Sequence, residues 1–171
     1  MTEDKDGTIW LATLGGLLKI TDRGKGKFKK YEHIDSDSNS IISNQLHSVF
    51  KDSIGNIWVG GENGFSLLNK KTGKFTNYHI PKLTENPSQP NFVKDFLEGY
   101  NGELWILSQK GFLHFQPSTK KLTHYIHNPD DQNSLSDNNV LDILIDQTGE
   151  LWVVTWNNGI NKINPYTNSF R

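Results

Sequence analysis

Three aspartates each stand six residues ahead of a tryptophan: Asp4 before Trp10, Asp52 before Trp58 and Asp146 before Trp152. A carboxylate beside an indole can supply an acid next to an aromatic platform, equipment suited to a ligand that stacks. The recurrence argues for another role. The tryptophans fall at 10, 58, 105 and 152, in steps of 48, 47 and 47 residues, and each has a glycine three places before it: Gly7, Gly55, Gly102 and Gly149. A fixed period of this size marks a repeat architecture, in which one register means one structural task. Burying an aromatic side chain removes roughly 150–250 Å² from water, at most about 4–6 kcal/mol. Trp10, Trp58, Trp105 and Trp152 are therefore expected to anchor packing between repeats. Asp4, Asp52 and Asp146 are expected to cap turns through side-chain to backbone hydrogen bonds. Gly99 holds the aspartate's place before Trp105, which counts against a catalytic acid shared by all copies.

Ligand chemistry is better sought where the copies disagree. After each tryptophan strand the connecting residues read Leu14-Gly15, Glu62-Asn63, Gln109-Lys110 and Trp156-Asn157-Asn158. The last is the longest and holds the one tryptophan outside the register. Trp156 could stack on a sugar face while Asn157 and Asn158 bond hydroxyls, and Glu62, Asn63, Gln109 and Lys110 complete the candidate ligand-binding set. The competing expectation is that Trp156 covers a neighbouring repeat or another chain. Of the six histidines, His33, His79 and His127 follow the tyrosines 31, 78 and 125 and read as solvated or edge-protecting. No histidine recurs beside a carboxylate as a metal site would need, so neither metal nor cofactor is expected. Gly-x-Ser-x-Gly and phosphate-loop patterns are absent, and no catalytic residue is nominated.

These residues must be carried by short strands. Leu46–Phe50, Val93–Leu97 and Val140–Ile145 alternate or run apolar, as strands do. A glycine turn follows, then the tryptophan strand, then a second glycine turn at Gly15-Gly16, Gly64, Gly111 and Gly159. Third strands begin at 17, 65, 112 and 160, and fourth strands end in Tyr31, Tyr78 and Tyr125. From each tyrosine to the next first strand is 15 residues, even across the proline-bearing loop 81–90. Four short strands per repeat, joined by three tight turns and one longer crossing, make a blade. The fold class is all-β, a propeller segment of about four four-stranded antiparallel blades, two complete and two partial. The approximate blades are 1–34, 35–81, 82–128 and 129–171, within a single segment 1–171 of a larger propeller.

Composition narrows the partners. Lys and Arg total 18 against 19 for Asp and Glu, without runs of one sign, so neither nucleic acid nor an anionic membrane surface is expected. Cysteine is absent, which removes disulfides and thiolate chemistry. No apolar run is long enough to span a bilayer, and residues 1–10 lack the apolar centre of a signal peptide.

The pattern Asp-x-x-Gly-x-[Ile/Leu]-Trp, then Gly with an apolar residue, then Phe-x-x-Tyr, resembles the two-component regulator propeller repeat. Asp52, Gly55, Ile57, Trp58, Val59, Gly64, Phe65, Phe75 and Tyr78 carry it, with counterparts in the other copies. The stretches 39–44 and 133–138 match that family's Asn-Ser-Leu-Ser lead. Gly99 for Asp, Gly60-Gly61 for Gly-Thr, Pro90-Asn91 in the lead and the inserted Asn158 depart from it. Sialidase Asp-boxes fail in phase, since Lys5, Ser53, Tyr100 and Gln147 stand five residues before the tryptophans, and the WD40 Trp-Asp pair is missing. The resemblance implies a periplasmic sensor region of a hybrid histidine kinase, with signal peptide and membrane span elsewhere in the parent and oligosaccharides as ligand class. On that reading the segment is non-catalytic and its partners are a possible oligosaccharide and the other blades of the parent. A propeller enzyme of lyase or quinoprotein type and a purely structural interaction module are the alternatives. Open blade faces further imply self-association.

Overall fold

The computed structural model describes residues 1–82 and 89–164, together with the backbone of 169–170. Most of the proline-bearing loop and Arg171 lie outside the described residues. Among the described residues sixteen strands form four sheets, each of four consecutive strands in simple antiparallel order. The first sheet joins β1 (Thr2–Glu3), β2 (Ile9–Thr13), β3 (Gly16–Asp22) and β4 (Lys27–Tyr31). The second joins β5 (Leu46–Lys51), β6 (Ile57–Gly61), β7 (Gly64–Asn69) and β8 (Lys74–His79). The third holds β9 (Val93–Glu98), β10 (Leu104–Ser108), β11 (Phe112–Gln116) and β12 (Lys121–Tyr125). The fourth holds β13 (Val140–Ile145), β14 (Leu151–Thr155), β15 (Ile160–Asn164) and β16 (Ser169–Phe170). The two-residue strands β1 and β16 make the outer sheets' flanks short, and among the described residues there is no helix.

The register follows from the glycines. Gly7, Gly55, Gly102 and Gly149 have φ of 81°, 92°, 73° and 84°, the left-handed region that other residues enter at a cost. Each turn is closed by a backbone bond back to position six before the tryptophan, as Gly55 N to Asp52 O at 3.0 Å and Gly149 N to Asp146 O at 2.9 Å. Tryptophan then stands mid-strand, with Trp58 opposite Phe50 and Leu67 and Trp152 opposite Leu144 and Lys162.

The chain divides into two compact units, Met1–Asp95 and Phe96–Arg171. In the first, Trp10, Leu17 and Tyr31 of one sheet pack on Ile57, Val59, Leu68 and Phe75 of the next. The second repeats the arrangement, with Trp105, Phe112 and Tyr125 on Leu151, Val153 and Ile163. Trp10, Trp58 and Trp105 are each 1% exposed. Trp152 is instead partly exposed, because no further sheet covers its face among the described residues.

Candidate functional site

The aspartate before the tryptophan serves two groups at once. Asp52 accepts the Asn56 amide on Oδ1 at 2.7 Å and the Trp58 indole N–H on Oδ2 at 2.9 Å. Asp146 repeats this, taking Thr148 N at 2.8 Å and Glu150 N at 3.1 Å on Oδ1, and Trp152 Nε1 on Oδ2 at 2.8 Å. The Thr148 side chain, foremost, and the Trp152 indole hold the Asp146 carboxyl far below the ordinary carboxylate range. Such a carboxylate is committed to the scaffold and is a poor proton donor at neutral pH. The indole bond went unread in the sequence, although the six-residue Asp-to-Trp spacing signalled it.

The first and third copies depart. Asp4 bonds Lys70 and the Lys5 amide, and the Trp10 Nε1 is buried without a partner. In the third sheet Glu103 Oε2 accepts the Asn101 amide at 2.9 Å, so a carboxylate four residues on from Gly99 caps the turn in its stead.

The connections after the tryptophan strands lie at the other ends of the sheets. Trp156 is 67% exposed, with its amide bonded to Asn139 O at 2.9 Å. Asn157 gives its amide and its Nδ2 to Asp137 Oδ2 at 3.2 and 2.8 Å, and Asn158 Nδ2 bonds Ser136 O at 2.8 Å. The two asparagine side chains thus fasten the loop to residues 136–137 and leave Trp156 displayed beyond it. The Asn139 amide and then Asn157 hold Asp137 below its ordinary pKa, keeping it ionised beside the tryptophan. Asp137 was not singled out in the sequence. Gly111 N bonds Asn138 O at 2.6 Å, so the Gln109-Lys110 connection flanks the same segment as Trp156. Gln109 is exposed, while Lys110 O is taken by His124 Nε2 at 2.6 Å. In the first unit Asn63 adopts φ 57° and spends its side chain on the Asn91 amide at 2.9 Å and on Glu62.

His33 is half-buried and His127 exposed, and the ring of each is tied to its own crossing loop. His33 Nδ1 meets Ile41 O at 2.6 Å and its amide bonds Asn44 Oδ1 at 2.8 Å; His127 does the same with Leu135 O at 2.7 Å and Asn138 Oδ1 at 2.7 Å. Ser40 and Ser134 receive the next amides, Ile34 N and Asn128 N, both at 2.9 Å. Ile41 and Leu135 between them are fully buried. The Asn-Ser lead is therefore the internal staple of the crossing loop. Their shared offset of two residues from Tyr31 and Tyr125 was the available signal. Among the described residues no three His, Asp or Glu side chains gather as a metal would require.

Sheets of four consecutive antiparallel strands, each with its tryptophan on the second strand, define propeller blades. Two stretches, residues 40–63 and 134–157, match the model of the two-component regulator propeller, each running from the Asn-Ser lead into the hairpin after the tryptophan. No curated protein matches it in sequence. Among solved structures it is similar to the extracellular domain described for the hybrid two-component system BT3049 of B. thetaiotaomicron, with TM-score 0.72 and 25% identity over 96% of this chain and 21% of that one. The corresponding domain of BT4673 from the same organism gives TM-score 0.69 and 24% identity over 94% of this chain and 20% of that one. A Lactobacillus plantarum protein shares the fold at TM-score 0.61 and 13% identity, over 99% of this chain and 52% of that one. The chain thus spans about a fifth of the length of the hybrid-system domains it matches.

Proposed function

We propose that the chain is a non-catalytic sensor segment of an extracytoplasmic two-component receptor, placed on the periplasmic side of the inner membrane and responsive to oligosaccharides. The observation that carries the ligand reading is the exposed Trp156, braced by Asn157 and Asn158 and flanked by the ionised Asp137. An aromatic face with fixed polar neighbours suits a sugar ring, whose C–H face stacks while its hydroxyls bond the rim. The repeats and the likeness to extracellular domains of hybrid two-component systems support the receptor reading. Calorimetric titration with a panel of dietary and host oligosaccharides tests it. Binding that Trp156→Ala abolishes, with the variant's melting temperature kept within what about 0.5 kcal/mol would move, is the expected result. Trp105→Ala, a core truncation, should instead cost about 3–5 kcal/mol. Silence across the panel, or turnover of any sugar, would overturn the reading.

A further inference from the structure

The third sheet differs from its sisters at the strand ends opposite Trp156. Where Asp52 and Asp146 receive an indole N–H, position 99 is glycine, so no aspartate stands there for Trp105. Glu103 has taken over only the backbone half of the aspartate's work, through the Asn101 amide. A cavity of about 250 Å³ lies beside Trp105 in the second unit, walled by Tyr100, Glu103, His114 and Gln116 with Leu151 below. His114 lies flat on Trp105, ring centroids 4.2 Å apart at 11°, and its buried Nε2 has no hydrogen-bond partner. In the first and fourth sheets the same position is Lys19 or Lys162, whose ammonium sits over the indole.

We propose that this cup is a second ligand site, taking a small uncharged polyhydroxylated molecule of about single-sugar size. The volume falls below the roughly 300–1,000 Å³ of pockets for drug-sized ligands, which sets the scale. The lining sets the chemistry. An indole N–H only donates and a carboxylate only accepts, so the group between Trp105 and Glu103 must do both, as a hydroxyl does. A cation cannot accept the indole N–H, and the Trp105 face that a cation would use is covered by His114; an anion meets the Glu103 charge. Burial pushes the His114 imidazole down, partly offset by Glu103, so the ring stacked on Trp105 adds no positive charge to the wall. This site does not depend on the sensor reading, because it uses none of the residues around Trp156.

The test is a nitrogen-edited NMR titration of the whole chain, following its five tryptophan indole N–H signals with D-glucose, myo-inositol, glycerol and, as an anionic control, acetate. The expected result is a saturable shift of the Trp105 signal with the polyols. It should be retained in Trp156→Ala and weakened at least about tenfold, a loss of about 1.4 kcal/mol, in Gly99→Asp, which restores the carboxylate of the sister copies. A Cβ at 99 would run into the Glu103 carboxylate, the movable end of a side chain. Should Gly99→Asp not fold, Tyr100→Ala at the exposed lip is the second variant, with the same loss expected. No Trp105 shift, a shift with acetate alone, or a response confined to Trp156 would each overturn the proposal.

Discussion

At the scale of single residues, one carboxylate with two oxygens fixes a turn and an indole together. Asp52→Ala removes the carboxylate that the buried Trp58 N–H bonds and should lower stability by about 1–3 kcal/mol in urea titration. Asp4→Ala should cost clearly less, since the Trp10 N–H is unpartnered already and Asp4 serves Lys70 at the surface. Acid supplies a second check. The Asp146 carboxyl is depressed in the folded chain by the Thr148 side chain and the Trp152 indole, relative to an ordinary value of 3.8. A depressed carboxyl contributes stability that is complete above the unfolded value and is lost as pH falls toward the folded one. The gap in melting temperature between the native chain and Asp146→Asn should thus be constant from pH 5 to 8 and narrow below about pH 3.8.

At the scale of elements, the strands were legible because alternation, glycine spacing and a 47-residue period all point to one hairpin order. Val140–Ile145 and Leu151–Thr155 were read with the bounds they have, and the other strands differ by a residue or two at their ends. The crossing loops were less legible. His33 and Asn44 lie 11 residues apart in a segment without periodicity, and side-chain to backbone bonds leave no pattern of their own. Glu103 was equally hidden, because its role appears only once the turn brings it to the Asn101 amide. The candidate ligand residues were legible as departures from the repeat, but that Asn157 and Asn158 would be spent on Asp137 and Ser136 was not. Asn138→Ala should release the His127 amide, costing about 1 kcal/mol, and hydrogen exchange at that amide should accelerate while β13 stays protected.

At the scale of the whole molecule, each sheet has two unlike faces. Within each unit the tryptophan face of one sheet receives the Ile, Leu and Phe face of the next, as Trp10 with Ile57, Leu68 and Phe75. Two such faces remain uncovered among the described residues: Leu144, Trp152 and Ile160 on the fourth sheet, and Ile9, Ile20 and Phe28 on the first. Each presents what the other lacks, so we expect head-to-tail association of copies, with weight-average mass rising with concentration in light scattering. Leu144→Asp together with Ile160→Asp should hold the chain monomeric; a native chain that stays monomeric at all concentrations would refute the contact. Because each sheet is closed by four consecutive strands, a cut inside a repeat leaves strand edges unpaired as well as a face bare. Chains of this kind are therefore expected to tolerate gain or loss in steps of about 47 residues, since a partial step would leave a sheet short of strands.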